Sequence, residues 1–166
     1  MITSDYVRAM ASYNRWQNQN LYDTAERIGD EQRRQTRGAF FGSIHATLNH
    51  LLWADQIWMS RFAATPTPKA KSIKESVGQH DDWAELRAAR NAFDQTISDW
   101  AAGIGDDWLR GDLTWFSGGA GREVTKPRWL LVTHMFNHQT HHRGQVHCML
   151  TQCGQRPGDT DLPFMR

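Results

Sequence analysis

The sequence predicts an all-α fold, a four-helix bundle. Three observations lead there. Four long stretches carry apolar residues at three- and four-residue steps, the spacing of one helix face. Each is bounded by capping residues, glycine or proline. Only one short stretch alternates as a strand would. Long helices joined by loops pack as a bundle, and the 166 residues suit one domain spanning 1–166.

The first helix is expected over residues 4–28. Ser4 stands at its N-cap, Gly29-Asp30 stops it, and Val7, Met10, Ala11, Trp16, Leu21 and Ala25 form its apolar pattern. Residues 30–42 form a connection with a short helical turn, aromatic at Phe40-Phe41. Ser43 caps the second helix, residues 44–62, which is apolar on more than one side and so largely buried. Residues 63–80 are rich in Pro, Lys and Ser and read as a loop, the most mobile segment. The third helix, residues 81–102, carries the cleanest stripe: Trp83, Leu86, Ala89, Phe93, Ile97 and Trp100, ended by Gly103 and Gly105. Residues 113–124 run Leu-Thr-Trp-Phe, then four small residues and a last glycine, then Arg-Glu-Val, and predict a short hairpin or an ordered loop with aromatic residues. The fourth helix follows, with Thr125 as N-cap and Pro127 in its first turn. It ends near Cys153-Gly154, with Pro157 just beyond.

Composition narrows the function. Nineteen basic against 18 acidic residues give a net charge of +1, which disfavours a nucleic-acid binder. No apolar run approaches the ~18 residues of a membrane span. No N-terminal apolar run leads to a cleavage site, and Cys148 and Cys153 form neither a CxxC motif nor a suitable disulfide pair within a helix. A cytoplasmic protein with reduced thiols is expected. Eight tryptophans point to large packing units, and to a homodimer with a buried aromatic face.

The chemistry concentrates in the last helix. His134, His138, His141 and His142 fall within nine residues. His138 and His142 are four apart and share one face, so both imidazoles can aim a ring nitrogen at one metal ion. His134 continues that row one turn earlier, and His141 points about 60° away from it. On the second helix, His50 lies on a stripe with Ala46, Trp53, Ala54 and Ile57. A ring nitrogen among apolar neighbours needs a partner. That partner is a metal ion, a backbone carbonyl or a water. His45 lies most of a half-turn away and reads as structural or exposed. Two neighbouring helices would thus offer a three-histidine site.

Two segments carry a resemblance. Ser43-Ile44-His45-Ala46-Thr47-Leu48-Asn49-His50-Leu51-Leu52-Trp53-Ala54-Asp55 resembles the DinB/YfiT-like metalloprotein family, as does Asn137-His138-Gln139-Thr140-His141-His142-Arg143-Gly144-Gln145. The likeness extends over nearly the whole chain in helix order and loop placement. It implies a four-helix bundle and a divalent metal ion held by His50, His138 and His142. It demotes His134, His141 and His45 as ligands. It further implies a transferase or isomerase acting with a low-molecular-weight thiol. The family's name refers to DNA-damage induction, a matter of regulation, and does not imply DNA binding.

Three neutral histidines leave a fourth position open, as in catalytic rather than structural sites. Two chemistries are expected to compete there: a water acidified for hydrolysis, or a thiol acidified for transfer, the second favoured by the resemblance. A third possibility is a non-enzymatic bundle in which the ion only ties two helices together, with His134 or His141 closing the site. Zinc is the default metal, with nickel and iron also suited to imidazole. Gln145 lies one turn beyond His142 and is positioned to bond a substrate or a ligand water. Asp55 is expected to pair with an arginine or to orient a ligand. Trp53, Met135 and Met149 are core residues or pocket lining, and Arg143 points away from the site toward a salt bridge. The partner is a small-molecule substrate or thiol.

Overall fold

The computed structural model describes residues 1–165. It is mostly helical, with one two-stranded sheet. In chain order the elements are α1 (Ser4–Glu26), α2 (Gly29–Arg34), α3 (Ile44–Ala63), α4 (Ile73–Ser76) and α5 (Trp83–Gly103). Then come α6 (Asp106–Arg110), β1 (Asp112–Ser117), β2 (Arg122–Pro127), α7 (Arg128–Gln152) and a 3₁₀ turn (Leu162–Phe164). The four long helices close a ring in which α1 packs on α5 and α7, and α3 packs on the same two. This places α3 directly against α7, the adjacency that a shared histidine site needs.

The bundle is stacked in three zones. At one end Leu21, Leu48, Leu52, Leu86 and Leu150 lead an apolar cluster. At the other, Val7, Met59, Ile97, Met135 and Phe136 lead a second. Between them every long helix contributes a buried polar group: Asn14 and Asn18 from α1, Asp55 from α3, Arg90 and Asp94 from α5, Gln139 and Arg143 from α7. Arg90 pairs with Asp55 at 2.6 Å and with Asp94 at 2.8 Å. Gln139 donates to Asp55 at 2.9 Å, Asn18 donates to Asp94 at 2.9 Å, and Arg143 donates to Asn14. Burial opposes the Arg90 charge, but Asp94 and Asp55 more than offset it and hold its pKa above the ordinary value. The arginine expected for Asp55 is therefore Arg90. Arg143 does turn away from the histidine face, into this layer, where an asparagine receives it.

Several boundaries differ from the sequence expectation, each for a local reason. Thr3, not Ser4, caps α1, its hydroxyl accepting from the Tyr6 amide. Gly29, with φ of +73°, turns the chain and opens α2 rather than ending in a loop. Asp82 caps α5 through the Glu85 amide, and α5 continues through Gly103. Thr125 is no cap: it sits in β2 opposite Thr114, their hydroxyls 2.8 Å apart, and α7 starts only after Pro127. The hairpin itself is present, from Asp112↔Pro127 to Ser117↔Arg122.

Residues 63–80, expected as a loop throughout, carry the short helix α4 and bond to the bundle. Trp53 Nε1 donates to the Ala70 carbonyl at 2.8 Å, and α4 buries Ser76 completely. His45 is structural: buried, its Nε2–H donates to the His80 carbonyl at 2.9 Å. The tail returns to α1, where Tyr13 and Gln17 donate to the carbonyls of Thr160 and Asp159. Both cysteines are free. Among the described residues, no helix is long and apolar enough to cross a membrane.

Candidate metal centre

Three histidines from two helices converge. His50 comes from the middle of α3, while His138 and His142 stand one turn apart on α7. One ring nitrogen from each lies within 4.8 Å of the others. His50 Nε2 and His138 Nε2 are 3.3 Å apart. Two zinc–imidazole bonds at a tetrahedral angle would hold their nitrogens about 3.3 Å apart, so this spacing fits one ion between them.

The far side of two rings fixes which nitrogen is free. The Ser76 hydroxyl donates to the Ile73 carbonyl at 2.6 Å, so its oxygen accepts from His50 Nδ1–H at 2.9 Å. His142 Nδ1–H donates to Gln145 Oε1 at 2.8 Å. In both rings the proton sits on Nδ1, and the Nε2 lone pair is left to face the centre. Hydrogen bonds of this kind orient metal-binding histidines and raise their basicity.

Burial keeps the rings neutral. Desolvation, then the neighbouring His142, lowers the His50 pKa to about 4. Desolvation, then the surrounding histidines, lowers His138 to about 3. His142 is lowered by burial as well, against the opposing pull of Gln145. At neutral pH three uncharged imidazoles therefore converge, with the Nε2 lone pairs of His50 and His142 free of their own protons. The donor set, its spacing and the tautomers of His50 and His142 fit a divalent ion.

The centre lies in an open cleft of about 470 Å³ walled by Trp53, Ile57, Trp58, Phe40 and Phe41. Phe41 packs on His50 at a tilt of 32° with ring centroids 3.9 Å apart and also meets His142 at 5.3 Å. A larger cavity of about 610 Å³ lies across α7, between α1 and the tail. Among the described residues the group of three metal-ligating side chains converges in the smaller cleft and not in this cavity.

The other histidines of the cluster do not converge. His134 packs its ring on Trp58 at 5.2 Å and forms cleft wall, its pKa lowered by burial and then by Arg61. His141 is exposed, its Nε2 accepting from Gln145 Nε2 at 3.2 Å. Gln145 thus bridges two histidines through its amide, where the sequence suggested a partner for substrate or water. Asp55 and Met135 belong to the core and Met149 packs in the apolar cluster beyond, whereas Trp53 does line the cleft. Ser76 and Phe41 escaped the sequence reading as site residues. Ser76 comes from a segment with no periodicity, and Phe41 gave only an unplaced aromatic signal.

A helical bundle with three histidines converging from two facing helices defines a class of candidate metalloproteins. Within it the match is specific: the model of the DinB family covers residues 1–166, and this chain belongs to that family. The chain is also similar to Protein DinB of Bacillus subtilis (strain 168), 25% identical over 159 residues, which is 95% of this chain and 92% of that one.

Proposed function

We propose that this protein is a metal-dependent enzyme of thiol-transferase type, with His50, His138 and His142 as the ligands. The observation that carries this reading is the convergence of three neutral imidazoles, two with their Nδ1 protons held elsewhere, on the wall of an open cleft. A divalent ion held there, zinc by default, supplies Lewis acidity that lowers the pKa of a thiol or water in the open position. The protein's own groups do the rest. Ser76 and Gln145 hold two imidazoles in the ligating tautomer. Phe41, Trp53 and Ile57 exclude water and receive the apolar part of a small molecule. Neither His134 nor His141 aims at the centre, which leaves room for an external group. The partners are accordingly a small-molecule electrophile and a low-molecular-weight thiol, in a cytoplasmic protein that assembles as a homodimer.

The test is metal content followed by rate. Purified protein should carry about one metal ion per chain, and the zinc-loaded form should couple glutathione or cysteine to chlorodinitrobenzene at a rate that rises with thiol concentration. Full metal occupancy with neither thiol binding nor turnover would remove this reading. Thiol-independent cleavage of activated esters would move it to a hydrolase.

A further inference from the structure

The cleft has a second end. Arg61 lies on α3 three turns beyond His50, about 16 Å along the axis at 1.5 Å per residue. Its side chain lies over Trp58, 4.6 Å from the ring centroid, and 5.4 Å from Trp115 of the hairpin. This lean toward the helix N-terminus shortens the span. Arg61 is the one permanently charged side chain lining the cleft among the described residues. It is half-buried, yet no carboxylate of the described residues lies within ion-pair reach and it donates no hydrogen bond among them. Arg90, on the neighbouring helix, meets two carboxylates. A half-buried guanidinium without an acceptor has five donors in a planar fork that matches a carboxylate. Between Arg61 and the histidines the wall is apolar: Trp53, Ala54, Ile57 and Trp58.

We propose that the cleft takes an elongated amphipathic anion. Its reacting end lies at the three histidines, its apolar body lies along Trp53, Ile57 and Trp58, and its carboxylate lies on Arg61. This rests on the reading of the histidine centre as the reacting end. Arg61 is then a specificity-determining residue: it selects acids over neutral molecules of the same length and takes no part in the chemistry. The competing explanation is that Arg61 is anchored by its two tryptophans alone, which needs no anion.

The two are separated with ω-mercapto acids and the matching ω-mercapto alcohols: 6-mercaptohexanoate, 8-mercaptooctanoate and 11-mercaptoundecanoate against the alcohols of equal length. Binding is read by calorimetry and by quenching of tryptophan fluorescence, with zinc-loaded and EDTA-treated protein, in the natural chain and in Arg61→Gln. At one length or more the acid should bind about tenfold more tightly than its alcohol, in keeping with a charge-assisted bidentate contact. Arg61→Gln should erase that preference, and Arg61→Lys should restore part of it. Equal affinity of acid and alcohol at every length overturns the anion site while zinc-dependent alcohol binding still upholds the histidine centre. A preference that survives Arg61→Gln overturns it too. If zinc adds nothing to either series but acids still outbind alcohols through Arg61, the anion site stands and the centre falls. Absence of binding by both series overturns both.

Discussion

At the residue scale, the centre depends on which nitrogen of each imidazole carries the proton. His138→Ala removes one of the three proposed ligands, one of the two on α7, and should leave less than a tenth of the metal in the purified protein, by elemental analysis, with the helical signal intact. Gln145→Ala removes the acceptor that holds His142 Nδ1–H, together with the donor to the exposed His141. Its metal should remain but bind about 10- to 100-fold more weakly in a chelator competition, the usual effect of losing such a partner. Unchanged affinity would mean that the Gln145 contact is incidental. The low pKa values give a pH prediction for metal-free protein. In the unfolded chain these histidines titrate near 6.5, whereas folded His50 and His138 resist protonation down to about 4 and about 3. As pH falls below about 6.5, the unfolded state binds more protons, so folding stability should fall with pH. Above that pH the two groups should contribute no slope. The measurement is Tm against pH after EDTA treatment, with His138→Asn as comparison. A slope as steep in the variant as in the natural chain would assign the pH dependence to other groups.

At the element scale, α3 and α7 each do two jobs, and the sequence showed only one of them clearly. His50 on an apolar stripe, and His138 and His142 one turn apart, were readable because their spacing is periodic within a helix. Ser76 was not readable: it reaches His50 from 26 residues away in sequence, through a four-residue helix inside a Pro- and Ser-rich stretch. Thr125 misled because a threonine before a helical pattern also suits a strand, and its pairing partner Thr114 lies across the turn. The polar layer was half visible. Asp55 signalled a need for an arginine, but four helices had to be assembled before Arg90 could be identified. That layer yields a stability prediction. Asp55→Ala leaves Arg90 with one carboxylate and strips Gln139 of its acceptor, both fully inside the protein. The expected loss is about 3 kcal/mol in urea denaturation, typical of breaking a buried ion pair. Metal content should be unchanged, because Asp55 faces the layer and not the cleft.

At the scale of the whole molecule, the arrangement separates a bundle that carries a metal from a bundle that needs one. Small metal-stapled domains lack sufficient core and unfold without the ion. Here two apolar clusters fill the ends of the bundle, each drawing on all four long helices, and the ion-paired layer locks their middle. The histidines stand to one side, where, of the four long helices, only α3 and α7 meet. An ion there can tie those two helices but is not what brings α1 and α5 to them. Chelation should therefore lower Tm by an amount set by ion concentration and affinity, since binding to the folded state alone stabilises by mass action. The far-UV helical signal at 25 °C should persist, and unfolding should remain one cooperative step. His138→Ala should behave like the chelated natural chain and gain nothing from added zinc. Loss of the helical signal on chelation would instead show that the histidines hold the fold together. The centre would then be structural, and the open cleft beside it would not by itself argue for catalysis.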